Sequence, residues 1–233
     1  RVTAQLIRVA DGFHVWSETY DRELKGVFAL QDEIAGRIGA QLQTSLGVAV
    51  APTARTPIPP EAYDDYLKGR ALYRKRQSLM QALAYFDSAV ERAPEFAAGW
   101  ASLALTYETV HGYVSQAEVA SLGDVGARLR STSERAIALE PGSAMTLHVQ
   151  GNLARADFRY AEAERLYRQA MAVDPTYPDV REDLAQLYNI VGRNDDAVVE
   201  VRKLVALEPF VANFWMPLLQ GGISLDRREL VDE

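Results

Sequence analysis

Residues 144–177 read AMTLHVQGNLARADFRYAEAERLYRQAMAVDPTY, and this stretch decides the fold. Counted from its first residue, small side chains fall at position 8 (Gly151), 20 (Ala163) and 27 (Ala170), a ring at 24 (Tyr167) and a proline at 32 (Pro175). Residues 178–211 repeat the frame, with Leu184 at 7, Ala185 at 8, Tyr188 at 11, Ala197 at 20 and Pro209 at 32. Residues 63–96 carry it too, with Tyr66 at 4, Tyr73 at 11, Ala82 at 20, Phe86 at 24, Ala89 at 27 and Pro94 at 32. A proline cannot continue a helix, so each one closes a helix pair. Small residues at 8, 20 and 27 let the two antiparallel helices of a pair approach closely. The large ones at 4, 11 and 24 fill the space between neighbouring pairs. A 34-residue period of this kind predicts a mostly α fold, a right-handed α-α superhelix of stacked helix pairs.

The spacing is interrupted once. From Pro94 to Pro141 is 47 residues, one period plus 13. That repeat opens in frame with Trp100, Leu103, Ala104 and Tyr107 and closes with Ala136 and Pro141. Residues 110–126, with Gly112, Gly123 and Gly126, therefore read as an insertion, a longer loop or extended helices between the two helices of the pair. A fifth repeat starts near 212 with Trp215 at position 4 and runs out at Glu233. Residues 61–233 thus hold four full repeats and the start of a fifth.

Ahead of the repeats, residues 2–9 are rich in strand formers and residues 13–20 alternate aromatic or β-branched with polar side chains. Asp11-Gly12 between them supplies the positive φ a tight hairpin needs. Val27, Leu30, Ile34, Ile38 and Leu42 recur at steps of three or four, one apolar stripe on a helix from about 26 to 46. A hairpin and one helix make a thin core, so residues 1–47 read as the C-terminal remnant of an α/β domain. Residues 48–60 read as a linker, because four prolines within 51–60 forbid helix and favour a stiff, extended path. Residue 1 is Arg rather than Met and no signal-peptide pattern follows, so the chain reads as a piece of a longer protein.

Hydrophobic residues make up 48% and charged residues 24%, an ordinary globular composition. The net charge of −7 argues against direct nucleic-acid binding, which needs a basic face to release phosphate counterions. No apolar run approaches the roughly 18 residues that span a bilayer. The absence of cysteine excludes disulfides and thiolate metal sites.

The 34-residue frame resembles tetratricopeptide repeats over residues 63–233. A second resemblance lies in Arg1-Val-Thr-Ala-Gln-Leu-Ile7, Asp11-Gly12, His14-Val-Trp-Ser-Glu-Thr-Tyr-Asp-Arg22 and Val27-Phe-Ala-Leu-Gln-Asp-Glu-Ile-Ala35. These resemble the C-terminal end of a TolB-like domain, whose usual successor is a stretch like Tyr66-Leu-Lys-Gly-Arg70. Such modules occur in large bacterial regulators, behind an adenylate or guanylate cyclase, a winged-helix domain or a Ser/Thr kinase. The resemblance implies a non-catalytic protein-protein interaction module regulating an upstream effector, a cyclase first among them. The alternatives are a small-molecule sensor with a pocket at the junction of hairpin and repeats, and the repeat part of a transcriptional regulator. The expected partner is a protein, a peptide or another domain of the same polypeptide. The expected compartment is the cytoplasm, or the periplasm where a membrane helix lies upstream.

The residues themselves offer no catalytic constellation. His14, His111 and His148 sit on different elements without metal-ligand spacing. No Gly-rich phosphate loop follows a strand, no Gly-x-Ser-x-Gly elbow occurs, and the paired aspartates of a cyclase are missing. No catalytic residue, metal or cofactor is expected. The stretch from Trp16 to Arg22 reads as structural: Trp16 packs on the amphipathic helix, and Asp21 or Arg22 holds the strand-to-helix corner.

The groove of such a superhelix is lined by the first helix of each pair, at positions 2, 5, 9 and 12. In repeat three these are Met145, His148, Asn152 and Arg155; in repeat four Asp179, Glu182, Gln186 and Asn189; and Asn213, Met216 and Gln220 continue the row. Leu67 and Ala71 in repeat one, with acids in repeat four, leave no cationic clamp for a peptide carboxylate. His148, Asn152, Arg155, Glu182, Gln186 and Asn189 are the candidate partner-binding residues. The side chains of Asn152 and Asn189 are expected to point out of the core, where amides can pair with peptide backbone.

Overall fold

The computed structural model describes residues 2–7, 12, 14–20, 34, 37, 58–76, 78–207, 211 and 215. The chain divides into two compact units, Arg1–Asp64 and Asp65–Glu233.

In the first unit, β1 (Val2–Ile7) and β2 (His14–Tyr20) form an antiparallel hairpin. The register pairs Val2 with Tyr20 and runs to Leu6 with Trp16. The next pair is Ile7 with His14, so β2 carries one extra residue there, a bulge. The threonine hydroxyls of Thr3 and Thr19 meet across the strands at 3.0 Å. Residues 8, 9 and 13 of the expected strands lie outside the described residues. Gly12 takes φ 69, the left-handed conformation expected of it. Ile34 and Arg37 are helical, and Arg37 reaches Glu18 at 3.0 Å. The rest of the helix expected over 26–46, the corner at Asp21 and Arg22, and residues 48–57 of the linker lie outside the described residues.

The second unit is helical. It comprises α1 (Pro60–Arg74, whose first turn lies in the first unit), α2 (Leu79–Arg92), α3 (Ala97–Tyr113), α4 (Gln116–Ser121) and α5 (Val125–Leu139). After them come α6 (Ala144–Ala156), α7 (Tyr160–Val173), α8 (Asp179–Ile190) and α9 (Asn194–Leu207). The pairs are α1/α2, α3/α5, α6/α7 and α8/α9. Pro60 opens α1, where a missing N–H costs nothing and the ring presets φ. Helices α2, α5 and α7 each stop two residues before Pro94, Pro141 and Pro175.

The frame of small residues does what its chemistry requires. Ala82, Ala89, Ala163 and Ala170 have no exposed surface, and neither have Ala136, Ala185 and Ala197. Gly69 lies under the Phe86 ring so closely that a Cβ there would stand 2.6 Å from it. Gly151 lies closer still under Tyr167. Only a bare helix surface admits the ring at that distance.

One position of the frame is displaced. Gly151 precedes its ring by 16 residues, Gly69 by 17. The extra residue sits in the turn after α1, where Arg76 and Ser78 take left-handed φ of 51 and 57. Counting back from Pro94 therefore misplaces the first helix by one residue, about 100° of rotation. Tyr66, Arg70 and Tyr73 turn inward, while Leu67 is 48% exposed and Ala71 faces solvent.

The insertion is helical rather than a loop. It lengthens α3 to 17 residues, against 13 in α6 and 12 in α8, and adds α4. Ser115 and Glu118 form a capping box, with Glu118 N donating to Ser115 Oγ at 3.3 Å and Ser115 N to Glu118 Oε2 at 3.0 Å. Gly123 turns the chain at φ 73, and Asp124 caps α5 by accepting from Ala127 N at 2.9 Å. Two apolar clusters result, one around Phe86, Leu103 and Tyr107, the other around Tyr167, Leu184 and Tyr188, with Met145 packed against both. Trp215 packs on the second cluster; the remainder of the expected fifth repeat lies outside the described residues.

Gly151→Ala should cost roughly 1–3 kcal/mol, because the buried Tyr167 ring cannot retreat. Gly112→Ala, in a helix with open space around the new Cβ, should instead gain about 0.5–1 kcal/mol. Thermal melts of the two variants check the contrast.

Candidate binding face

The first helices of the four repeats turn toward one another. Tyr66 and Arg70 of α1 reach Met145 Sδ of α6 at 4.0 and 3.8 Å. Arg76, just past α1, meets Glu182 of α8 at 3.3 Å, with both side chains only 8% exposed. Arg155 of α6 donates to Glu108 of α3 and stands 3.7 Å from Asp183 of α8.

His148, Arg155 and Glu182 come together on this face, but their side chains are committed to the fold. His148 is buried; its Nε2–H donates to Asp183 Oδ2 at 2.5 Å and its Nδ1 lies 2.9 Å from the Tyr177 hydroxyl. Asn152 is buried as well, and its Oδ1 accepts from the Tyr167 hydroxyl at 2.6 Å. The expectation that Asn152 points out of the core is thus corrected, and His148, a groove candidate, is buried too. Positions 5 and 9 of repeat three are pressed onto repeat four and onto the ring of their own pair. Gln186 is half-buried, its Nε2 3.5 Å from Glu182 Oε1, and Asn189 sits half-buried near the end of α8.

The charges tune one another. Burial alone would raise the Asp183 carboxyl, but the Arg155 charge and the His148 and Asn152 contacts outweigh it and hold it at about 2. Glu108 goes the other way: burial and the Asp183 charge push it up, against Arg155. Burial opposes the Arg155 charge, and Asp183 and Glu108 more than offset it. Burial also pushes up the phenols of Tyr73 and Tyr177.

Beside this network lies a cavity of about 180 Å³. Tyr73 and Arg76 wall it on one side, Gly112 and Tyr113 from the extended α3 on another, Asp179 and Glu182 from α8 on a third. Arg76, Glu108, Asp183 and Tyr177 are functional candidates that sequence reasoning missed. Arg76 lies in the turn past the end of α1, outside the groove positions of either frame. Glu108 stands at position 12 of its repeat, as Arg155 does in the next, so the frame alone pointed to it. Among the described residues no group of three His, Asp or Glu is placed to hold a metal ion, and no helix is long and apolar enough to cross a membrane.

A tetratricopeptide-repeat family profile matches residues 154–216. A thermophilic tetratricopeptide protein of Thermus thermophilus superposes with a TM-score of 0.51 at 18% identity, over 85% of this chain and 93% of that one. The repeat stack has the tetratricopeptide fold. PilF of Pseudomonas aeruginosa is 23% identical over 74% of each chain, with a TM-score of 0.46. A protein named putative adenylate cyclase 3 of Rhizobium meliloti is 35% identical over 109 residues. That match covers 45% of this chain and 19% of the relative's length.

Asn152→Ala should destabilise the chain by about 1–3 kcal/mol, since it strips the acceptor from a buried tyrosine hydroxyl; a denaturant titration reads this. Asp183 is depressed in the fold, so its contribution is complete above the unfolded value near 4 and is lost as pH falls toward about 2. Asp183→Asn should therefore be less stable than the wild type at pH 7, by about 3 kcal/mol. The gap should close in melts below pH 4.

Proposed function

We propose that this chain is a non-catalytic interaction module that regulates a larger bacterial signalling protein with an adenylate or guanylate cyclase domain. The inner face carries the reading: side chains from repeats one, two and four line an open cavity there, with Arg155 of repeat three beside it, and repeat stacks use such concave faces for binding. The named relative, a putative adenylate cyclase, supports the choice of effector. On this reading residues 1–47 are the end of a TolB-like domain, 48–60 a linker and 61–233 the docking stack. The partner is a protein, a peptide or another domain of the same polypeptide, and the compartment is the cytoplasm.

The burial of His148 and Asn152 assigns the six candidate residues different tasks. Gln186 and Asn189, with Tyr113 at 45% exposure, meet the partner. His148, Asn152, Arg155 and Glu182 hold the surface in shape.

The purified chain should turn over no nucleotide, and activity that survives rigorous purification would refute the non-catalytic assignment. In a titration against the rest of the parent protein, Tyr113→Ala with Gln186→Ala should weaken capture about tenfold, the loss of one or two hydrogen bonds worth about 0.5–1.5 kcal/mol each. Binding like the wild type would move the site to the convex face or to α4.

A further inference from the structure

Asp179, the first residue of α8, is 5% exposed and lines the cavity. Among the described residues its carboxylate makes no hydrogen bond and no ion pair. The charges of Arg70 and Arg76 act on it, yet neither donates a hydrogen bond to it: Arg70 points an Nη at Met145 Sδ, and the Arg76 Nη atoms reach the Tyr73 carbonyl and Glu182. The start of α8 offers a partial positive charge, which favours an acid there by a few tenths to one kcal/mol without satisfying its lone pairs. A carboxylate with unused acceptor sites at a cavity wall can accept from a donor placed in that cavity.

The surroundings say what would fill them. Four carboxylates line the cavity (Glu108, Asp179, Glu182 and Asp183) against the single guanidinium of Arg76. Arg155, behind them, serves Glu108 and Asp183. With Arg70 beside Asp179 as well, the acids outnumber the guanidiniums by four to three. The space of about 180 Å³ equals about six waters, enough for one long side chain. Tyr113 stands at the mouth, where its ring face suits a cation. No group of three acids is arranged for a metal, which leaves an organic cation.

We propose that this cavity receives one alkylammonium or alkylguanidinium group, with Asp179 as its counter-ion. The proposal rests on the inner face being the docking surface, and it makes the preferred partner segment one that presents an arginine or lysine. The 13-residue insertion then has a task. By lengthening α3 it carries Gly112 and Tyr113 to the cavity and completes its wall.

The test is an NMR titration of the full ¹⁵N-labelled chain. The probes are blocked Ala-Arg-Ala, Ala-Lys-Ala and Ala-Gln-Ala peptides, with agmatine and putrescine as free cations. The arginine and lysine peptides should shift the amides of Gly112, Asp179 and Gln186 saturably; the glutamine peptide should not. Asp179→Asn, nearly isosteric, should weaken the arginine peptide at least tenfold while its melting temperature stays level or rises, because an unpaired buried charge is removed. Asp179→Ser provides the same reading should the Asn variant not fold. Tighter binding of the peptides than of the free amines assigns the cation to a protein segment; the reverse assigns it to a small molecule. Equal binding of the glutamine peptide, undiminished binding by the Asp179 variants, or no saturable shift with any cation overturns the proposal. A chain that still captures its parent protein but ignores these probes loses this inference alone.

Discussion

A ring laid on a helix that has no side chain beneath it sets the geometry of the stack. Phe86 on Gly69 and Tyr167 on Gly151 bring the two helices of a pair together at one rotation and one height. Everything on the inner face follows from that placement. With its ring held on Gly151, Tyr167 delivers its hydroxyl to Asn152. Asn152 in turn faces Asp183, which is already bound to His148 and beside Arg155. The apolar lock and the polar network are thus one construction, joined at a tyrosine that is a core residue at its ring and a network member at its oxygen.

Buried charges are a poor source of net stability, since desolvation consumes most of the attraction, but breaking one partner is expensive. That asymmetry suits a repeat stack. Ordinary solenoids hold only neighbour to neighbour. Here Arg76 and Glu182 tie the first repeat to the fourth, 106 residues apart. The left-handed turn that carries Arg76 and the lengthened α3 that carries Tyr113 both depart from the repeat frame, and both departures converge on the same cavity. Local irregularity of this kind, gathered at one place in an otherwise periodic fold, is where a common scaffold acquires a specific surface.

The sequence by itself determined the fold class, the number of helix pairs among residues 63–211, the helix stops before the prolines and the place of the insertion. These depend on local rules: a proline ends a helix, a small residue permits a crossing, and a 34-residue period repeats both. It also named first-helix positions as the inner face, among them Arg155, Glu182 and Gln186. Tertiary structure alone decided which side chains on those helices remain free. Position in a repeat tells which way a side chain points, but not how near the next repeat comes, and His148 and Asn152 are buried because repeat four and Tyr167 close over them. One added residue in the turn after α1 rotated that helix by about 100° and replaced Leu67 and Ala71 with Tyr66 and Arg70. Periodicity counted from the far proline is blind to such a shift, because a loop absorbs an extra residue without altering any element's own pattern. Pairing of charges far apart in the chain, Arg76 with Glu182 and His148 with Asp183, leaves no local trace at all; it exists only once the stack brings the helices within hydrogen-bond reach.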